Sequence, residues 1–231
     1  LLYLNDEKGK VFKFDKRTGE TMETLKFWKD GDFEGIEVVG NRVYTLQSDG
    51  DLISFELDGN DVSKIRKEET PLSIKNDTEG LGYDPVEDVL LIACKEKGDI
   101  GDEEVKGRVV YAYDYKKRKL DKDPVIQLRW STVKAFLEGY EMDIFVGDSR
   151  RFKPSGIAVH PIDKHYYVLS TTGKSIIVFD RKGEIVLYYK VSRSIMEQPE
   201  GICFDANGDM YLSSEGDEEA PRIAKFKMKT Q

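Results

Sequence analysis

Four short segments of the chain share one pattern: a small or acidic residue, then glycine, then isoleucine or leucine. They are Phe33-Glu34-Gly35-Ile36, Thr78-Glu79-Gly80-Leu81, Pro154-Ser155-Gly156-Ile157 and Pro199-Glu200-Gly201-Ile202. Their glycines stand 45, 76 and 45 residues apart. Self-similarity at such a spacing means one supersecondary unit copied along the chain, each copy too small to bury its apolar face alone. After each start comes a short apolar stretch, a polar turn and a second apolar run. The turns in residues 83–88, 160–163 and 205–209 are rich in Pro, Asn, Asp and Gly, residues that favour tight turns. A third stretch alternates polar and apolar residues, at 11–15, 52–57, 109–114, 175–180 and 222–226. Period-two alternation with β-branched and aromatic residues is the strand signal. A fourth stretch follows in three units, at 22–27, 125–130 and 185–191.

Units of four antiparallel strands, repeated at this spacing, predict an all-β chain folded as a β-propeller. The 231 residues are read as a single domain, 1–231. Units start near residues 33, 78, 154 and 199, and residues 1–32 hold the last three strands of another. This favours a five-bladed ring. Six blades are the alternative, if the 76-residue spacing hides a degenerate copy. The surplus in that spacing reads as a helical insertion near 131–152. Ser131 is expected to cap a helix over 132–138, Gly139 to end it, and residues 142–146 to form a short strand. The unit that begins at Glu200 shows three clear strands, so a strand ahead of Leu1 is expected to complete the ring.

Composition excludes several functions. Forty-four acidic and 36 basic residues give a net charge of -8. With no concentrated basic block, the chain lacks the cationic surface a nucleic-acid binder uses on phosphate. No apolar run approaches the roughly 20 residues that span a bilayer. Two cysteines are too few for a disulfide framework, and Cys94 and Cys203 both read as buried free thiols. His160 and His165 are the sole histidines, and neither lies near a nucleophile-elbow sequence. Gly31, Gly35 and Gly40 are turn glycines rather than a phosphate cradle. Trp28, Trp130 and Phe152 read as packing residues before ligand-stacking ones.

The Glu-Gly-Ile/Leu starts, Lys95-Glu96-Lys97, the run from Ser155 to Pro161, and Pro199-Glu200-Gly201-Ile202 with the run from Asn207 to Glu215 resemble the SdiA-regulated (YjiK-like) family, itself distantly similar to NHL-repeat proteins. The resemblance covers nearly the whole chain. It implies a five-bladed propeller that binds calcium, has no established catalytic activity, and belongs to proteins exported to the periplasm or tethered in the cell envelope. No leader pattern opens the chain, so that location is expected from the resemblance alone. The chain departs from the family after the fourth unit's second strand, where Leu169-Ser170-Thr171-Thr172-Gly173 lacks the usual acid.

In a propeller the first strand of each blade lines the central channel. The residue before each repeat glycine then falls at one mouth, so Glu34, Glu79 and Glu200 are expected to converge, with Ser155 in the fourth place. Carboxylates crowded together must take up protons, stay hydrated or gain a cation. A calcium ion suits them, because it takes roughly six to eight oxygens in flexible geometry. A second candidate set lies where each second strand ends: Asn5, Asp6, Asp49, Glu96 and Glu215. Lys95 and Lys97 beside Glu96 would oppose a cation unless they point elsewhere. Asp99, Asp102, Glu103 and Glu104 read as a solvated loop. The expected function is a non-catalytic calcium-binding scaffold that meets an unknown protein or small-molecule ligand at its loop faces. The alternative is a calcium-dependent hydrolase similar to lactonase or phytase propellers, with Lys95, Arg150, Arg151 and Lys153 offering a basic mouth to phosphate.

Overall fold

The computed structural model describes residues 1–59, 61–139, 152–214 and 221–228. Five antiparallel sheets follow one another along the chain. The first holds β1 (Leu2–Leu4), β2 (Lys10–Phe14) and β3 (Thr21–Lys26). The second holds β4 (Phe33–Val39), β5 (Arg42–Gln47), β6 (Leu52–Asp58) and β7 (Asp61–Glu68). The third holds β8 (Thr78–Asp84), β9 (Val89–Cys94) and β10 (Arg108–Asp114), whose outer edge is shared by β11 (Lys119–Leu120) and β12 (Ile126–Leu128). The fourth holds β13 (Pro154–Val159), β14 (Tyr166–Ser170), β15 (Ser175–Phe179) and β16 (Ile185–Lys190). The fifth holds β17 (Pro199–Phe204), β18 (Met210–Ser214) and β19 (Arg222–Phe226). The chain is an all-β propeller of five blades, and the six-bladed alternative falls away.

The blades are held together by their faces. Leu90, Ile92 and Cys94 of β9 pack against Tyr44, Leu46 and Leu52 of the second blade. Leu91 and Ala93, on the opposite face of the same strand, pack with Ile157, Val168 and Ile177 of the fourth. A strand buried on both faces needs apolar residues at successive positions, which is why residues 89–94 read as a continuous apolar run. β15 repeats this: Ile177 and Phe179 face the third blade, Ile176 and Val178 the fifth. Phe27 stacks on Phe55 and meets Phe33 edge-on, joining the first two blades.

Several local expectations change. Helix α1 runs Trp130–Gly139. The carbonyl of Arg129 already accepts bonds from the N–H groups of Thr132 and Val133, at 3.0 and 3.2 Å. Ser131 therefore lies inside the first turn and does not cap it. The early helix also shortens the strand expected over 125–130 to β12. Val133 and Leu137 are buried between the third and fourth blades with Phe152, so Phe152 is a core residue. The strand expected at 142–146 lies outside the described residues. β7 had no sequence signal, because Asp61, Lys64, Arg66 and Lys67 interrupt any alternation. Such charge suits an outer edge, where it discourages pairing with another chain. Cys94 is buried, but Cys203 is exposed on a channel-lining strand, which corrects the reading of both thiols as buried.

Candidate functional site at the channel mouth

The four repeat segments form the four inner strands, and all four carry the same irregularity. Register shifts by one residue between Phe33 and Gly35, between Thr78 and Gly80, between Pro154 and Gly156, and between Pro199 and Gly201. The extra residues are Glu34, Glu79, Ser155 and Glu200. A bulge bends its strand and re-aims the side chain of the unpaired residue. Here all four line one cavity of about 570 Å³ at the axis. The glycine that follows lets adjacent inner strands approach. A methyl group on Gly35 would lie 2.7 Å from the Leu81 Cβ, and one on Gly156 would lie 2.7 Å from the Glu200 carbonyl oxygen. Acid, bulge and glycine are thus one device: the glycine brings the strands together, and the bulge turns their acids into the space they enclose.

The electrostatics of the mouth are uneven. Burial, the charge of Glu79 and contact with Asp32 push Glu34 up to about 8. Asp32, two residues before Glu34, adds to the rise through its charge and its side-chain contact. Glu79 is also raised, chiefly by burial, but Lys95 opposes the shift. The Lys95 ammonium contacts the Glu79 carboxylate and lies 3.6 Å from Asp77 Oδ2. Burial works against the charge of Lys95, yet Glu79, Asp77 and Glu34 together raise its pKa. Glu96 is lowered, first by its hydrogen bond from Lys153. Arg108 Nη2 adds a contact of 3.4 Å to Glu96 Oε2. Ser155 is buried, and its hydroxyl donates to the Pro199 carbonyl at 3.3 Å and accepts from the Thr171 N–H at 3.1 Å. It pins β13 to β17.

The described members of the second candidate set take part in local bonds. Asn5 Oδ1 accepts the Lys8 N–H at 2.7 Å, Asp6 Oδ1 the Glu7 N–H at 3.0 Å and Asp49 Oδ1 the Asp51 N–H at 3.1 Å. These are turn-stabilising bonds, although Asn5 and Asp6 also line the cavity. Glu96 is tied to its basic neighbours, and Glu215 lies outside the described residues. Lys97 turns away to Asp99, at 4.0 Å. Two participants escaped the sequence reading: Asp32 and Asp77, each two residues before a repeat glutamate. Asp-Phe-Glu-Gly and Asp-Thr-Glu-Gly were a legible sub-repeat of the second and third blades.

Among the described residues, no group of three or more His, Cys, Asp and Glu side chains is placed to hold a metal ion. Calcium would need roughly six to eight oxygens, while Glu79 and Glu96 already serve Lys95 and Lys153. As they stand, the described side chains do not fit a calcium ion. Lysine supplies positive charge to Glu79 and Glu96, while among the described residues Glu34 forms no ion pair.

Comparison with known proteins supports the architecture. The virginiamycin B lyase of Staphylococcus aureus superposes with a TM-score of 0.54 at 13% identity, over 100% of this chain and 67% of the lyase. The luciferin-regenerating enzyme gives 0.51 at 12% identity, over 93% of this chain and 80% of that one. A streptogramin B lyase gives 0.50 at 14% identity, over 100% of this chain and 65% of its own. At such identities the likeness is one of fold. No curated protein matches the sequence. The SdiA-regulated family matches residues 1–218, and with its repeat, its five blades and its inner-strand glycines in place, the chain belongs to the SdiA-regulated family.

Proposed function

We propose that this propeller is a non-catalytic binding module of the cell envelope, and that the channel mouth receives the cationic end of a ligand with an apolar body. The observation that carries this reading is the Asp32–Glu34 pair. Among the described residues Glu34 forms no ion pair, whereas Glu79 and Glu96 each have a lysine. A carboxyl pushed up to about 8 by burial and by other acids gains most from an incoming positive charge. Ile36, Leu81, Ile157 and Ile202 line the cavity behind it and suit an alkyl or aromatic body.

Binding is preferred over hydrolysis because His160 stands away from the mouth. His160 is buried, with Nδ1 3.0 Å from Asp163 Oδ1, and packs edge-on against Phe204. It follows the end of β13 opposite Ser155. A calcium-dependent hydrolase would require an ion at acids that now bind lysine. The envelope location rests on family membership. No helix among the described residues is long and apolar enough to cross a membrane.

The test is calorimetry with hexylammonium as probe and hexanoate as its anionic counterpart. Saturable binding of hexylammonium alone, weakened about tenfold or more in Glu34→Gln, supports the reading. Equal affinity in the two proteins, or preference for hexanoate, overturns it.

A further inference from the structure

The edge strand of a sheet presents unpaired backbone groups, and charge or brevity normally blunts it. In this ring the fourth blade is the exception. β3 carries Glu23 and Lys26, β7 carries Lys64, Arg66 and Lys67, and β19 carries Arg222 and Lys225. The outer edge of the third blade is broken into the short strands β11 and β12. β16 reads Ile185-Val186-Leu187-Tyr188-Tyr189-Lys190 and holds no charge before its last residue. It closes its sheet, and among the described strands it pairs with β15 alone.

Both the edge and one face of β16 stand open. The Val191 N–H donates to the Lys174 carbonyl at 2.8 Å. Antiparallel alternation then turns the backbone groups of Val191 and Tyr189 to β15 and those of Lys190 and Tyr188 outward. Leu187 and Tyr189, opposite Val178 and Ile176, share one face. They are 43% and 46% exposed. The register shift at Val186 lies near the start of the strand and leaves Leu187 to Lys190 in regular pairing.

Charge returns at the two ends, with opposite sign. Glu184 precedes the strand and Lys190 ends it; both are exposed, and among the described residues neither forms an ion pair. Leu187 stands midway between them in sequence. A second, antiparallel copy of this strand, turned about Leu187, sets Glu184 of one chain opposite Lys190 of the other at both ends, and Leu187 beside its own counterpart. Opposite charges facing each other across strands stabilise a pairing. The edge is complementary to itself.

We propose that β16 is a self-association edge, and that its occupant is a second copy of this chain, paired antiparallel β16 to β16 in a two-fold dimer. Main-chain bonds join two four-stranded blades into one continuous sheet. A two-fold contact uses both edges at once and so closes at two copies. A single strand edge buries less than the roughly 1,200–2,000 Å² of a standard interface, so the dimer is expected to dissociate on dilution. None of residues 184–190 lines the axial cavity. Pairing therefore leaves the mouth open, and the proposal stands whether or not the mouth binds cations.

The test is sedimentation velocity over a series from micromolar to millimolar protein. Four proteins are compared: the wild type, Leu187→Lys, Lys190→Glu, and the swap that joins Glu184→Lys to Lys190→Glu. The wild type is expected to pass reversibly from monomer to dimer. Each single substitution is expected to weaken dimerisation about tenfold or more, because like charges then oppose across the strands, and the swap to restore it to within about threefold. All three sites are exposed, so melting temperatures of the dilute proteins are expected to stay near that of the wild type. Amide exchange at Tyr188 and Lys190 is expected to slow as concentration rises, with Tyr189 and Val191 unchanged. A wild type that stays monomeric up to millimolar overturns the proposal, as does a dimer that the single substitutions leave intact. A swap that fails to restore pairing overturns it too, since another register or another partner would then occupy the edge. So does growth beyond two copies.

Discussion

Nη1 of Arg181 donates a 2.6 Å hydrogen bond to Oδ2 of Asp84, 97 residues earlier in the chain. The Tyr166 hydroxyl donates to the same oxygen at 2.9 Å, and the guanidinium lies 4.6 Å from the Tyr166 ring centroid. The Asp84 side chain is 1% exposed. The contact ties the third blade to the fourth at the end of β8 opposite the mouth. Arg181→Met would leave a buried carboxylate held by Tyr166 and two turn N–H groups. Breaking a fully buried pair costs about 3–5 kcal/mol. Those remaining donors, and an arginine side chain that is 27% exposed, bring the expected loss to about 2 kcal/mol. Denaturant unfolding of the variant measures it, with the slope unchanged if the fold persists.

Glu34 makes stability depend on pH in the unusual direction for an acid. Its folded value is near 8 against an ordinary 4.5. Between these values the folded state retains a proton that the unfolded state has lost, so stability falls as pH rises from 4.5 towards 8. Glu37, raised to about 7 by burial, adds to the same trend. Melting temperatures across this range should decline in the wild type. Glu34→Gln should decline less and be the more stable protein at pH 8. A parallel pair of profiles would remove Glu34 from the explanation.

Lys95 acts as the fixed cation of the mouth, in contact with Glu79, 3.6 Å from Asp77 and within the field of Glu34. Lys95→Met should destabilise the protein and leave acids that now lack a counter-charge. Calcium added to the variant should restore part of the lost melting temperature and give saturable heat. The wild type should show neither effect up to millimolar calcium. Tight binding of one calcium by the wild type would mean that the ion displaces the lysine.

Gly156 tests the packing of the inner ring. The Cβ of an alanine there would lie 2.7 Å from the Glu200 carbonyl oxygen. That oxygen belongs to the backbone of β17 and cannot swing aside. Gly156→Ala should cost about 1–3 kcal/mol, the range for overpacking. Gly19, whose added methyl would meet nothing within 4 Å, provides a comparison: its φ of 75° isolates backbone strain from packing.

The repeat was legible because blade packing is local in sequence. Each repeat glycine directly follows a glutamate or, at Gly156, a serine, and each turn joins neighbouring strands, so spacing alone revealed blades and inner strands. The runs at β9 and β15 declared themselves because both their faces are buried. β7 did not, because an outer edge strand needs no apolar face. The pre-glycine residues were identified from the repeat, and the bulges bring Glu34, Glu79, Ser155 and Glu200 into one cavity.

Their chemistry was decided elsewhere. The sequence shows Lys95 beside Glu96, but alternation about the end of β9 sends Lys95 to Glu79, 16 residues earlier, while Glu96 meets Lys153, 57 residues later. Those pairings arise only once neighbouring blades stand side by side. By itself, then, the sequence determined the blade, its repeat and the acids of the inner strands, because strand alternation and glycine clearance act over a few residues. Only the tertiary structure decided which acids meet a lysine and which meet each other, because charge and packing act across distances that the order of residues does not record.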